Sequence, residues 1–293
     1  MLNIIIPCTP NYNQKNIINT VNKKIDIVSQ FIILHNSIKK NWNFDYRINL
    51  FYNKNYKFND IDIKRLSSLD IDMFAIEPDH PATPYMIRCN ALTHKVKQLG
   101  SHRLLLDCDM IALKEPNFDF SCDWQAMFAG AVVDKKWYEF INKNYQYNLQ
   151  LNTKFKGLLF KTYVETGKYK NFFPHFNGGA FLIREELCGE FKKYTVPCYD
   201  IVNREGVPRH IRHIGVQYGA SFALMKISEN WKPFDAGVNF LFKHFLQEGG
   251  SLGKVGNENI QLLHYCGVNG FQVVYKHFAS QIDEYLVEGE KSI

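Results

Sequence analysis

The sequence predicts an α/β protein, a mostly parallel sheet with helices on both faces, and three observations predict it. Short apolar runs alternate along the chain with segments whose apolar residues recur at helical spacing. The runs are continuously apolar, as strands buried on both faces are. With 293 residues, 46% of them hydrophobic, the chain can bury one large core around such a sheet.

Taken in order, residues 3–6 form a first buried strand that Pro7 ends, and a polar turn from Cys8 to Tyr12 follows. Residues 16–40 read as a helix, with Ile25, Val28, Ile32 and Ile33 on one side and lysines on the other. Residues 46–52 alternate like a strand, and residues 71–76 are a further apolar run before Pro78. Residues 84–98 begin with a helix-favouring proline, carry Ile87, Ala91, Leu92 and Val96 on one face, and stop at Gly100. Residues 102–106 are a strand that runs straight into Asp107. Residues 126–133 predict another strand, and residues 134–173, polar, aromatic and rich in lysine, predict a helical insertion over the sheet. A strand over residues 175–183 and a helix starting at His213 complete the assignable part. Beyond Asp235, Gly-rich loops mix with apolar pieces and give no assignment. With no repeat, low-complexity tract or linker, residues 1–293 read as one domain.

A formal charge of +6 suits anionic small molecules or peripheral contact with a weakly anionic surface, and does not require nucleic acid. The seven cysteines are scattered, odd in number and without a C-x-x-C pair, so reduced thiols in the cytoplasm are expected. The apolar run at residues 4–6 is too short for a signal peptide or a membrane span.

The most informative segment is Leu104-Leu105-Leu106-Asp107-Cys108-Asp109-Met110-Ile111. In such sheets ligands bind at the carboxyl ends of the strands. Residues spaced i and i+2 in extended chain point to the same side, which brings Asp107 and Asp109 together. Two anions that close call for a cation between them, and Mn²⁺ or Mg²⁺ bound with a diphosphate is the natural one. A solvated turn is the plainer reading. His264, in Leu262-Leu263-His264-Tyr265-Cys266-Gly267, is either a core histidine or a third metal ligand.

These segments resemble the GT-A glycosyltransferases, in particular the retaining, family 8-like group that contains glycogenin and the lipooligosaccharide galactosyltransferases. Asp107-Cys108-Asp109 is similar to the family's D-x-D, whose first Asp contacts the metal and the ribose and whose second binds the metal. His175-Phe176-Asn177-Gly178-Gly179 resembles the strand that lines the donor sugar. His264 to Gly267 resembles the late H-x-x-G segment with the third metal ligand, and Met86-Ile87-Arg88 the arginine that reaches the donor. The resemblance implies a GT-A fold and transfer of a hexose from a nucleotide-sugar, a UDP-sugar by expectation, to a glycan, lipid or protein acceptor. The implied metal ligands are Asp107, Asp109 and His264. Thr9, Tyr12, Arg88, Asp107, Cys108, Asn177, Gly178, Gly179 and Gly267 are then expected around the donor. Two departures stand out: the diphosphate lysine expected after H-x-x-G is missing, and Pro7-Cys8-Thr9 replaces the acidic or polar end of the first strand.

Tyr12 either stacks on the base or caps the first loop. The glycines either loosen a strand entry or let backbone amides approach the ligand. For the reacting centre, Gln217 is the first candidate, because the family's helix begins there with an Asp-Gln-like pair; Gly215-Val216 precedes it here. Asp134 is the alternative acidic group. The basic run Arg204, Arg209, His210, Arg212 and His213 is a solvated loop or a contact for diphosphate or an anionic acceptor. Two other functions fit parts of the pattern: a haloacid-dehalogenase-like phosphotransferase, whose strand also ends in D-x-D, and a non-catalytic sugar-binding protein on the same fold.

Overall fold

The chain begins with β1 (Leu2–Pro7), a short antiparallel pair β2 (Ile18–Asn19) and β3 (Lys24–Ile25), then α1 (Ile27–Asn41), β4 (Tyr46–Asn53), α2 (Asp60–Ser67) and β5 (Asp72–Ile76). Next come α3 (Arg88–Thr93), β6 (His102–Leu106), β7 (Met110–Ala112), β8 (Trp124–Phe128) and β9 (Phe176–Arg184). The last part holds α4 (Cys188–Thr195), α5 (Pro197–Val202), α6 (Arg209–Ile227), β10 (Trp231–Pro233), β11 (Phe240–Leu241), β12 (Leu262–His264) and α7 (Val268–Glu290). This computed structural model describes residues 1–9, 18–19, 24–83, 86–97, 100–129, 175–202, 209–242 and 259–290. Tyr12, Asp134, Arg204 and the insertion expected at 134–173 lie outside the described residues, and so do the side chains of Arg209, His210, Arg212 and His213.

The seven-stranded sheet has the order β10-β8-β9-β6-β1-β4-β5. β1 pairs parallel with both β4 and β6, as do β4 with β5 and β8 with β10. The pairings of β9 with β6 and β8 are antiparallel, so the mostly parallel sheet carries one reversed strand near its middle. Side chains alternate across it with the period of two that a strand imposes. Ile4, Ile6, Leu104 and Leu106 pack on one face with Phe31 and Ile32 of α1 and Val274 and Ile282 of α7. Ile5 and Leu105 pack on the other with Leu92 of α3, Phe191 of α4 and Leu224 of α6. Both faces are covered, which is why these strands read as unbroken apolar runs.

The direction of winding decides where a ligand goes. From β1 the chain moves outward to β4 and β5, then returns across β1 to β6 on its other side. The strand order reverses between β1 and β6, and in open α/β sheets the crevice lies beyond the carboxyl ends at that reversal. Those ends are Pro7-Cys8-Thr9 and Asp107-Cys108-Asp109.

Three expectations need correction. The helix expected over 16–40 starts only at Ile27: Asp26 accepts from the Ser29 amide at 2.7 Å as its cap, and the residues before it include the β2–β3 pair. The helix expected over 84–98 is confined to Arg88–Thr93, because the Asp79 carboxylate takes the Cys89 and Asn90 amides and sets its start. Its end is held by Arg103, which donates to the carbonyls of Leu92 and His94. The helix expected to start at His213 begins at Arg209. Beyond Asp235, where the sequence pattern allows no assignment, β11 and β12 join β7 in a second small sheet and α7 packs on α1. All seven cysteines are free thiols, and no helix among the described residues is long and apolar enough to cross a membrane.

Candidate functional site

A cavity of about 460 Å³ opens at the β1–β6 reversal. Its lining includes Thr9, Arg88, Asp107, Cys108, Asp109, Asn177, Gln217, His264 and Gly267, together with Gln30 and Met86, which the sequence did not single out. Thr9 Oγ1 is buried without a hydrogen-bond partner, so a polar ligand in the cavity would relieve a cost the fold otherwise carries.

Asp107 follows the last residue of β6, and its amide donates to the Gly179 carbonyl at 2.8 Å, extending the ladder to β9 by one rung. Residues 107–109 bend between β6 and β7; they are not extended as the spacing argument assumed. What brings the two carboxylates onto one target is the small sheet. β12 pairs antiparallel with β7, with His264 opposite Met110, and the Tyr265 amide donates to the Asp109 carbonyl at 3.2 Å. One ligand atom from each of Asp107, Asp109 and His264 then lies within 4.8 Å of the others. His264 Nε2 is 3.2 Å from Asp109 Oδ1.

The electrostatics suit a cation. Burial raises the Asp107 carboxyl above its usual range against the pull of Arg88, and Asp109 beside it adds to the rise. Burial acts the same way on Asp109, but His264 and Arg88 outweigh it and hold that carboxyl below its usual value. Burial would lower the His264 imidazole, yet Asp109 overcomes this and raises it well above its ordinary value. The position between Nε2 and the Asp109 carboxylate is the one that a metal ion would take in a mixed carboxylate–histidine shell. Two carboxylates and one imidazole form a donor set that could hold a metal ion.

Arg88 joins two parts of the site. It forms a charged hydrogen bond with Asp107, and its other terminal nitrogen donates to the Gly178 carbonyl at 2.8 Å. Asp79, absent from the sequence reading, positions the helix that carries it. Asp79 accepts from the Cys89 and Asn90 amides at 2.9 and 2.7 Å and from the Tyr199 hydroxyl at 3.3 Å. Burial pushes its carboxyl up to about 6, partly offset by these donors.

The two glycines after Asn177 make room for the protein's own side chains. A Cβ on Gly178 would stand 2.8 Å from an Arg88 nitrogen, and one on Gly179 would stand 2.5 Å from the His264 ring. Neither belongs to the cavity lining, whereas Asn177 and Gly267 do. Asn177 Oδ1 accepts from the Gly179 amide at 2.8 Å. Gln217 reaches the cavity from α6, whose Ser221 hydroxyl accepts from the Phe176 amide at 2.9 Å and fixes the helix against the start of β9. Asn239 is a further buried residue beside His264 that no sequence signal marked.

No family model and no curated protein matches the sequence. Among solved structures, the galactosyltransferase LgtC in complex with donor and acceptor sugar analogues aligns over 97% of this chain and 96% of its own, with a TM-score of 0.52 and 11% identity. An active-site mutant of LgtC aligns over the same shares with a TM-score of 0.53 and 11% identity. Mouse xyloside xylosyltransferase 1 in its apo form covers 90% of this chain and 96% of its own at 0.46 and 11% identity. The agreement with LgtC runs through nearly the whole of both chains, and at that identity it is an agreement of fold. The chain is an α/β protein with the Rossmann-like GT-A fold.

Proposed function

We propose that this protein is a metal-dependent glycosyltransferase that moves a hexose from a nucleotide-sugar, a UDP-sugar in the first instance, to a glycan, lipid or protein acceptor. The observation that carries the reading is the convergence of Asp107, Asp109 and His264 at the strand reversal, in a cavity that also holds Arg88. Asp107, Asp109 and His264 would hold Mn²⁺ or Mg²⁺. When bound, the ion supplies Lewis-acid stabilisation of the departing nucleoside diphosphate.

The residues of the chain have separable tasks in this reading. Arg88 orients Asp107 and opposes the rise that burial gives its carboxyl, and its guanidinium lines the same cavity. Thr9 offers an unpartnered hydroxyl to the nucleoside, with Cys108 and Gly267 lining the same space. Asn177 lines the sugar end. Gln217 would stand by the anomeric carbon. Its amide cannot act as a base toward the acceptor, which fits transfer with retention of configuration. Tyr12 and Asp134, outside the described residues, are proposed as the base-stacking residue and the alternative acidic group of the reacting centre. The phosphotransferase reading needs the first Asp as a free nucleophile, whereas Asp107 is committed to Arg88.

Thermal unfolding with added ligands tests the proposal. Mn²⁺ is expected to raise the midpoint, and UDP with Mn²⁺ to raise it further, since ligands of the native state stabilise it. A panel of nucleotide-sugars assayed for slow donor hydrolysis then identifies the sugar. No shift with any common nucleotide would overturn the donor site.

A further inference from the structure

Asn239 is fully buried and just precedes β11, with φ of 56°, in the left-handed region that asparagine tolerates better than most residues. It does not line the cavity. Its side-chain amide lies between Asn177 and His264. Asn239 Nδ2 is 3.2 Å from Asn177 Oδ1, and Asn239 Oδ1 is 3.0 Å from His264 Nδ1.

The direction of each bond follows from a backbone group that cannot be turned around. The Gly179 amide donates to one end of the Asn177 side chain at 2.8 Å, so that end is the oxygen. This oxygen also receives the Asn239 side chain, so the Asn239 end facing it is the nitrogen and the end facing His264 is the oxygen. His264 Nδ1 is thus bounded by two acceptors, Asn239 Oδ1 at 3.0 Å and Asn177 Oδ1 at 3.2 Å. A ring nitrogen between two acceptors carries hydrogen. In the neutral ring the lone pair is then left on Nε2, the nitrogen that faces Asp109.

We propose that Asn239 is a positioning residue: it holds His264 as the Nδ1–H tautomer and aims Nε2 as a ligand for a divalent cation shared with Asp107 and Asp109. The inference rests on the metal site of the proposed function. Its physical basis is general, since the group bonded to the second nitrogen of a ligating histidine fixes the tautomer and the ring orientation. Asn239 stands just before β11 and His264 ends β12, and the parallel pairing of the two strands holds both in place.

Two substitutions and two readouts test it. Asn239→Gly accepts the left-handed backbone and deletes the amide; Asn239→Asp keeps an acceptor on Nδ1. Mn²⁺ binding, followed by electron paramagnetic resonance of the free ion, is expected to weaken about 10- to 100-fold in the glycine variant, with most of the loss recovered in the aspartate variant. Nitrogen-15 histidine labelling of the metal-free protein provides the second readout. The His264 Nδ1–H signal, assigned by its loss in His264→Gln, should resist solvent exchange in the wild type and in the aspartate variant, and vanish in the glycine variant. Wild-type Mn²⁺ affinity together with a protected Nδ1–H in Asn239→Gly overturns the proposal. If the wild type binds no Mn²⁺ while the glycine variant loses the signal, the tautomer assignment holds and the metal reading falls. Should Asn239→Gly not fold, loss of the protected signal in Asn239→Asp overturns it.

Discussion

The imidazole of His264 occupies the space in which a side chain on Gly179 would stand. A Cβ built on Gly179 would lie 2.5 Å from Cε1 and Nδ1 of His264 and 2.6 Å from the Met110 methyl. The glycine of one strand and the histidine of another are therefore a matched pair, and the proposed cation site depends on both. Gly179→Ala should displace the ring from Asp109 and cost about 1–3 kcal/mol through overpacking. Urea unfolding measures the cost, and Mn²⁺ titration should show affinity lost beyond what the change in stability explains. An alanine variant with wild-type metal affinity would mean that His264 is not a ligand.

Removing a carboxylate separates the metal site from the fold. Asp109 is partly exposed to the cavity and supports no strand pairing through its side chain. Asp109→Ala should lower donor turnover on the order of a hundredfold or more, since a bound ion contributes several kcal/mol to charge stabilisation. Circular dichroism should be unchanged. Persistent hydrolysis of a nucleotide-sugar at the wild-type rate would remove Asp109 from the site.

Arg88 bonds Asp107 and the Gly178 carbonyl with two different nitrogens of one rigid fork. Lysine has a single charged centre and cannot reproduce that geometry. Arg88→Lys should lower stability by about 1–3 kcal/mol and leave the buried Asp107 less well paired. Donor KM should rise as well, measured as the nucleotide-sugar concentration at half-maximal hydrolysis. Unchanged KM would confine Arg88 to a structural role.

Asp79 gives the fold a pH dependence of predictable sign. Burial raises its carboxyl from 3.8 to about 6, so the folded chain holds this proton more tightly than the unfolded one. Its contribution is complete below about pH 3.8 and is lost as pH rises through about 6; the loss is up to about 3 kcal/mol. The difference in urea stability between wild type and Asp79→Asn should therefore shift in favour of the variant across that interval. A difference that is flat from pH 4 to 7 would contradict the burial of this carboxyl.

The sequence by itself determined β1, β4, β5, β6 and β9, and what stands at the tip of β6. Unbroken apolar runs such as Leu104 to Leu106 mark strands covered on both faces, because burial is a local demand on every residue of the run. The same reading picked out Asp107, Asp109 and His264, the three residues that converge. Only the tertiary structure decided how they meet. The bend at Cys108 and the pairing of β12 with β7 depend on segments far apart in the chain, and no local pattern encodes that pairing. The short helix at Arg88 ends where Asp79 and Arg103 satisfy its backbone groups, although its apolar spacing continues to Val96. Asn239 is the extreme case. Its polar side chain is buried and useful only because Asn177 and His264 arrive from other strands, so its role comes into being with the fold.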